Sequence, residues 1–164
     1  MLASVMAHGQ HVLSTRTFVS RPRSEVFAFF SNAENLEQIT PPQLRFAMIT
    51  PTPIRMRAGA IIEYHLRLFA VPIYWKTRIV EWTPDSSFID EQLAGPYAEW
   101  IHTHSFREVD GGTEMTDVVR YRLPLYPFGE LAHPLVAMQL NQIFAFRAHA
   151  IAKLLGAPGV PAIR

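Results

Sequence analysis

The stretch FIDEQLAGPYAEWIHTHSFREVDGGTEMTDVVRYRLP, residues 88–124, decides the fold because it reads as three strands joined by two turns. Successive side chains of a β-strand point to opposite faces, and residues 88–94, 100–109 and 113–123 each alternate in this way. Gly95-Pro96 and Asp110-Gly111-Gly112 lie between them and are typical of turns. Long strands joined by short turns predict an antiparallel meander.

The central strand, residues 100–109, places Trp100, His102, His104 and Phe106 on one face. In the strands predicted at 73–82 and 113–123, charged residues alternate with apolar ones, so the faces without Lys and Arg are expected to point inward. Applied to all four strands, the same reasoning predicts that the inner face carries a polar group among aromatic residues. Its members are Trp75, Phe88, Asp90, Gln92, Trp100, His102, His104, Phe106, Asp117 and Tyr121.

The region before residue 88 predicts the rest of the sheet and two short helices. Residues 13–19 alternate as a first strand. One helix is expected after Pro22, and a second with Ser31 and Glu34 as a capping box. Residues 44–49, 60–69 and 73–82 then complete a sheet of about seven strands.

The C-terminal region predicts a long helix over residues 130–155, with Gly156 as its stop. At 1.5 Å per residue this helix would be about 39 Å long, enough to cross a whole curved sheet. The element order predicts an α+β fold in which a curved antiparallel sheet grips the helix around a cavity. The apolar residues at roughly helical spacing are Leu131, Leu135, Met138, Ile143, Phe146, Ala150 and Leu154.

Composition limits the function classes. The 164 residues predict one domain over 12–156, with a flexible N-terminus over 1–11 and an irregular tail over 157–164. A net charge of +1 argues against nucleic acid as a partner. The absence of cysteine excludes disulfides and thiolate chemistry and favours a cytoplasmic location. No apolar run is long enough for stable membrane insertion, and nothing in the pattern indicates an oligomeric state.

Residues 88–124 resemble the SRPBCC superfamily, which has the START and Bet v 1-like helix-grip fold and is often described as polyketide cyclase/dehydrase-like. Residues 21–42 (RPRSEVFAFFSNAENLEQITPP) resemble its first helical pair, and residues 71–88 (VPIYWKTRIVEWTPDSSF) its central hairpin. The pattern around Asp90, His102 and Asp117 is similar to the bacterial ligand-binding branch. The resemblance covers about residues 13–155, and implies the fold more strongly than any one activity.

The first functional hypothesis is that the cavity binds a small apolar or amphipathic molecule. Trp75, Trp100, Phe106 and Met138 would form its apolar wall. The polar end of the ligand would be fixed by Asp90, Gln92, His102, His104, Asp117 and Tyr121.

The second hypothesis is an enzyme that cyclises, dehydrates or isomerises a ligand without a cofactor. A histidine held by a carboxylate acts as a general base near neutral pH. The candidate catalytic residues are His102, His104, Asp90, Asp117 and Tyr121.

The third hypothesis is a cupin-like metal-dependent enzyme, suggested by the run from His102 through His104 to Glu108. The spacing differs from that of cupins, and no second cupin motif follows. Because the carboxylates provide the imidazoles with partners, the sequence predicts neither a metal nor a cofactor.

Overall fold

The computed structural model describes residues 9–156 and confirms the α+β architecture. Seven strands form one antiparallel sheet in the order β1-β7-β6-β5-β4-β3-β2. The predicted tail over 157–164 and residues 1–8 of the predicted flexible terminus lie outside the described residues. The elements are β1 (Gln10–Val19), α1 (Arg23–Phe30), β2 (Ala47–Met48), β3 (Ile61–Leu68), β4 (Val71–Thr83), β5 (Ser87–Ala94), β6 (Glu99–Val109), β7 (Gly112–Arg122) and α2 (His133–Leu155), with 3-10 turns at Ala33–Leu36, Pro42–Leu44 and Phe128–Ala132.

The strands begin and end close to their predicted bounds, with two differences. Strand β1 starts at Gln10 because β7 offers pairing partners as far as Arg122, so residues 10 and 11 belong to the sheet rather than to a flexible terminus. Strand β2 contains only two residues, against the six predicted, because its pairing with β3 is limited to Ala47 and Met48.

The predicted second helix is a single 3-10 turn, and its capping residue differs from the prediction. The Asn32 side chain accepts a hydrogen bond from the Glu34 backbone N–H at 3.1 Å. Ser31 instead donates its hydroxyl to the Ala28 carbonyl oxygen at 3.2 Å. The capping-box prediction was therefore wrong, because Ser31 closes the preceding helix rather than opening the next.

Helix α2 buries a different face from the one predicted. The predicted helix begins three residues too early, since Leu131 lies in the 3-10 turn before α2. Leu131 is 85% exposed, and Met138, on the helix itself, is 48% exposed. Apolar residues occur on several sides of this helix, so spacing alone did not identify the buried side. The face that the sheet covers consists of Leu140, Phe144, Ala148 and Ile151.

Two hydrophobic clusters fill the interior. One lies beneath α1 and includes Phe27, Phe88 and Phe106. The other lies beneath α2 and includes Trp100 and Phe144. Among residues 9–156, no helix is both long enough and apolar enough to cross a membrane.

Candidate functional site: a His–Asp cluster and its cavity

The register of three neighbouring strands assembles a buried His–Asp cluster. Asp90 on β5 lies opposite His102 on β6, and His104 on β6 lies opposite Asp117 on β7. Side chains at these positions share the inner face of the sheet, where diagonal neighbours are within reach of one another. Each histidine therefore contacts carboxylates on both sides. We name Asp90, His102, His104 and Asp117 the His–Asp cluster.

Two hydrogen bonds hold the cluster together. His102 donates from Nε2 to Asp117 Oδ1 at 2.8 Å, and His104 donates from Nε2 to Asp90 Oδ2 at 3.0 Å. His104 Nδ1 also lies 2.9 Å from Asp117 Oδ1. The geometry of this contact is poor for a hydrogen bond, so Asp117 acts on His104 mainly through its charge. The Thr77 hydroxyl lies 3.2 Å from Asp90 Oδ1 and 2.9 Å from the Glu91 carbonyl oxygen, and shares its single proton between these two acceptors.

The pKa values of the two imidazoles are shifted in opposite directions although their ring centroids are only 3.7 Å apart. Burial, together with the neighbouring His104, lowers the pKa of His102 despite its bond to Asp117. Burial also disfavours the charged form of His104, but Asp117 and Asp90 overcome it and raise the pKa of that ring. His104 is thus the ring that carries the positive charge more readily.

Both carboxylates are held in the ionised form. Burial alone would raise the pKa of each, yet the hydrogen bonds and charges of the two histidines lower the pKa of Asp117 and of Asp90. With two carboxylates against one imidazolium, the cluster keeps one negative charge unbalanced.

His102 has one ring nitrogen that the carboxylates do not bind. An ionised carboxylate only accepts hydrogen bonds, so neutral His102 carries its proton on Nε2, facing Asp117. Nδ1 then holds a lone pair, and its nearest carboxylate oxygen, on Asp90, is 3.9 Å away. This nitrogen is free to accept a proton or a hydrogen bond from a ligand.

A cavity of about 140 Å³ lies between the sheet and α2. Asp90, His102 and His104 lie at its sheet side, among mostly apolar neighbours. The structure thus places five of the predicted ligand-binding residues in the wall, which are Trp75, Asp90, Trp100, His102 and His104.

Five other predicted site residues lie outside this wall. Asp117 lies behind the histidines and is only 3% exposed, so it positions them without facing the cavity. Phe106 packs against Phe27 and Phe30 in the cluster beneath α1. Met138 lies on the exposed side of α2, and its placement in the wall was wrong for the reason given above.

Gln92 and Tyr121 lie outside the cavity wall and form hydrogen bonds with Tyr97 and His133 respectively. The Gln92 amide donates to the Tyr97 carbonyl oxygen at 2.8 Å and accepts from the Tyr97 N–H at 3.3 Å. A side chain on Gly95 would displace this amide from its two hydrogen bonds with Tyr97. The Tyr121 hydroxyl hydrogen-bonds to His133 Nε2 at 3.2 Å, at the start of α2. Neither side chain reaches the cavity.

Most residues of the wall were not among the predicted site residues, and three of these bear on the chemistry of the cavity. Tyr64 on β3, Tyr97 in the β5–β6 turn and Arg147 on α2 all line the cavity. Tyr64 alternates with the polar residues Glu63, His65 and Arg67 along its strand, and this alternation was the signal that could have identified it. Arg147 follows Phe144 by three residues, so the correct buried face of α2 would have revealed it.

Within residues 9–156, one set of side chains is arranged to hold a metal ion. Asp90, His102 and His104 offer ligand atoms within 4.8 Å of one another. A cation bound there through His104 Nε2 would have to displace the proton that this ring donates to Asp90. The absence of a resident metal stays a prediction.

Comparison with known proteins agrees with this architecture. Residues 19–145 match the family described as "Polyketide cyclase / dehydrase and lipid transport". No curated protein matches the sequence significantly.

Three solved structures illustrate the similarity. The Zhui aromatase/cyclase from Streptomyces sp. R1128 has a TM-score of 0.72 at 11% identity, over 90% of this chain and 94% of that chain. Ara h 8.0201 has a TM-score of 0.59 at 12% identity, over 88% of this chain and 99% of that chain. A nucleoside-diphosphate sugar epimerase from Corynebacterium glutamicum has a TM-score of 0.63 at 27% identity, over 86% of this chain and 28% of its own.

Proposed function

The chain belongs to the polyketide cyclase/dehydrase and lipid transport family, and we propose that it binds a small amphipathic molecule in the cavity between the sheet and α2. The observation that carries the proposal is a mostly apolar cavity with ionised groups at one side. Apolar walls with a few convergent polar groups are the usual composition of small-molecule sites. The predicted cytoplasmic location, which rests on the absence of cysteine, is part of the same proposal.

The size of the cavity limits the ligand. Its volume of about 140 Å³ is close to that of an engineered apolar cavity of ~150 Å³ that binds benzene. Tyr64, Trp75 and Trp100 present aromatic surfaces to this space. This volume suits a ligand built on a single aromatic ring.

The His–Asp cluster determines which polar group the ligand carries. Asp90 accepts hydrogen bonds, and neutral His102 presents a lone pair at Nδ1. One negative charge of the cluster is unbalanced, so a second anion there would be repelled. The group that fits is a hydrogen-bond donor, and a phenolic or alcoholic hydroxyl is the simplest one.

Calorimetric titration with 4-ethylphenol tests the proposal, with 4-ethylanisole as a probe of similar shape that lacks the donor. The wild type is expected to bind one 4-ethylphenol and to bind 4-ethylanisole about tenfold more weakly, since a hydrogen bond to a charged group contributes roughly 1.5–3 kcal/mol. Ile143 lines the cavity, so the larger side chain of Ile143→Trp should occupy part of its volume and abolish binding of 4-ethylphenol. Gln142→Trp, at the adjacent exposed position, should bind normally. Absence of binding to the wild type, or equal binding by both variants, would overturn the proposal.

A second function, proton transfer, is favoured by the free Nδ1 of His102. A buried neutral imidazole oriented by a carboxylate has the arrangement of a general base. It would remove a proton from the carbon next to a ketone and return it, a step that cyclisation and dehydration of polyketides share. Deuterium exchange at the methyl group of 4-hydroxyacetophenone, followed by NMR, measures this step. Accelerated exchange that His102→Gln abolishes and the exposed His149→Gln retains would support catalysis, and exchange at the uncatalysed rate would exclude it.

A further inference from the structure

Arg147 brings a positive charge to the wall opposite the His–Asp cluster. It stands on α2 three residues after Phe144 and four before Ile151, both of which are buried. Its guanidinium carbon lies 5.1 Å from the centre of the Phe144 ring, and the side chain lines the cavity. The cavity therefore meets a cation on its helix side.

No side chain in the described part of the chain neutralises this cation. Other arginines of the fold pair with acids, as Arg107 does with Glu114 at 2.8 Å and Arg122 with Glu99 at 3.3 Å. Arg147 has no carboxylate within 4.0 Å among residues 9–156, and its buried Nε has no hydrogen-bond partner there. A buried N–H without a partner costs free energy, so the structure holds a donor that a ligand would satisfy.

The charge of Arg147 reaches the interior of the cavity. Burial raises the pKa of Tyr64, the charge of Asp90 raises it further, and the charge of Arg147 opposes both effects. Tyr64, in the cavity wall, thus lies within the field of both ionised groups. The charge of Asp90, from the sheet, and the charge of Arg147, from the helix, therefore both act on a residue of the cavity wall.

We propose that Arg147 binds the carboxylate of the ligand, so that the ligand is a small aromatic acid with a hydroxyl group at its far end. This inference rests on the proposed function and specifies its substrate class. A guanidinium offers a planar pair of N–H donors that matches a carboxylate. A single cation balances a single negative charge, which favours a carboxylate over a doubly charged phosphate.

Calorimetric titration with 3-(4-hydroxyphenyl)propionate and with its neutral amide, 3-(4-hydroxyphenyl)propionamide, tests this inference. The wild type should bind the acid about 10-fold to 100-fold more tightly than the amide, as expected for a hydrogen bond between charged groups. Arg147→Met retains the apolar stem over Phe144 and should bind both probes with the affinity of the amide. Lys153→Met removes a charge from an exposed position of the same helix and should retain the preference.

The outcomes separate this inference from the proposed function. If 4-ethylphenol binds but the wild type does not distinguish acid from amide, the role of Arg147 is overturned and the cavity remains a binding site. If neither probe nor 4-ethylphenol binds, both proposals fail. The wild-type comparison of acid with amide decides the matter even if Arg147→Met does not fold.

Phenyl phosphate and benzoate distinguish the two kinds of anion. The wild type should bind benzoate more tightly than phenyl phosphate at pH 7.5, where phosphate is largely dianionic. Tighter binding of the phosphate would overturn the assignment of a carboxylate.

Discussion

The charged side chains on the sheet side of the cavity are paired with one another, whereas the charged side chain on the helix side has no partner within residues 9–156. On the sheet side, Asp90 and Asp117 bind His104 and His102 at 3.0 and 2.8 Å. On the helix side, Arg147 carries its charge without an acidic partner among the described residues. The sheet side therefore contributes to the stability of the fold, whereas the helix side keeps a donor available for a ligand.

The largest expected effect is the loss of stability in Asp117→Ala. This change leaves two buried histidines without their shared carboxylate, and breaking a buried pair costs about 3–5 kcal/mol. Urea denaturation measures the free energy of unfolding. Glu114→Ala, on the outer face of the same strand, removes only partly exposed pairs with Arg107 and Arg16 and should cost less than about 1 kcal/mol. Equal losses would mean that the cluster does not stabilise the fold.

The second-largest expected effect is that His102 makes the free energy of unfolding depend on pH. Its folded pKa is lowered, so its contribution is complete above the unfolded value of about 6.5 and is lost as the pH falls through the folded pKa. The loss should be on the order of 1 kcal/mol per pH unit below about pH 6, where the unfolded histidine is protonated and the folded ring is still neutral. His104, whose folded pKa is raised, contributes little slope below about pH 6, since it is then charged in both states; nearer pH 6.5 its slope has the opposite sign.

Denaturation at several pH values checks this dependence in His102→Gln. The variant should lose much of the slope, although His133, whose pKa burial also lowers, retains a part of the same sign. His149→Gln, at an exposed position, should retain the full slope. A slope in His102→Gln equal to that of the wild type would contradict the assignment of the neutral ring.

The smallest expected effect on the free energy of unfolding is that of a substitution on the helix side, Arg147→Met. Arg147→Met removes no ion pair and no hydrogen bond between described residues, and only the contact with Phe144 is weakened. The free energy of unfolding should change by less than about 1 kcal/mol. A loss as large as that of Asp117→Ala would show that Arg147 is a structural residue, and would remove the contrast between the two sides.

The sheet side was predictable from sequence because strand alternation is a strong constraint. A shift of one residue would turn every side chain of a strand to the other face, so charged positions such as Lys76 and Arg78 indicated the outer face of the sheet. Trp100, His102 and His104 followed from consistency between neighbouring strands. The register that places Asp90 opposite His102 and His104 opposite Asp117 was not readable from the sequence, since it depends on the geometry of the turns that join β5, β6 and β7.

The helix side was not predictable in the same way. Apolar residues surround α2 on several sides, and Leu131 and Met138 formed a plausible but exposed face. Only tertiary packing shows that Leu140, Phe144 and Ile151 face the sheet. Arg147 was overlooked for this reason, because its position has meaning only once that face is known.

A crystal structure of the complex with 3-(4-hydroxyphenyl)propionate would show both ends of the bound ligand at once. One molecule is expected in the cavity, with its carboxylate within hydrogen-bonding distance of Arg147 and its hydroxyl at Asp90 or His102. The contacts of His104 with Asp90 and Asp117 should be unchanged. A ligand bound elsewhere on the protein, or a cavity without ligand at saturating concentration, would contradict the account.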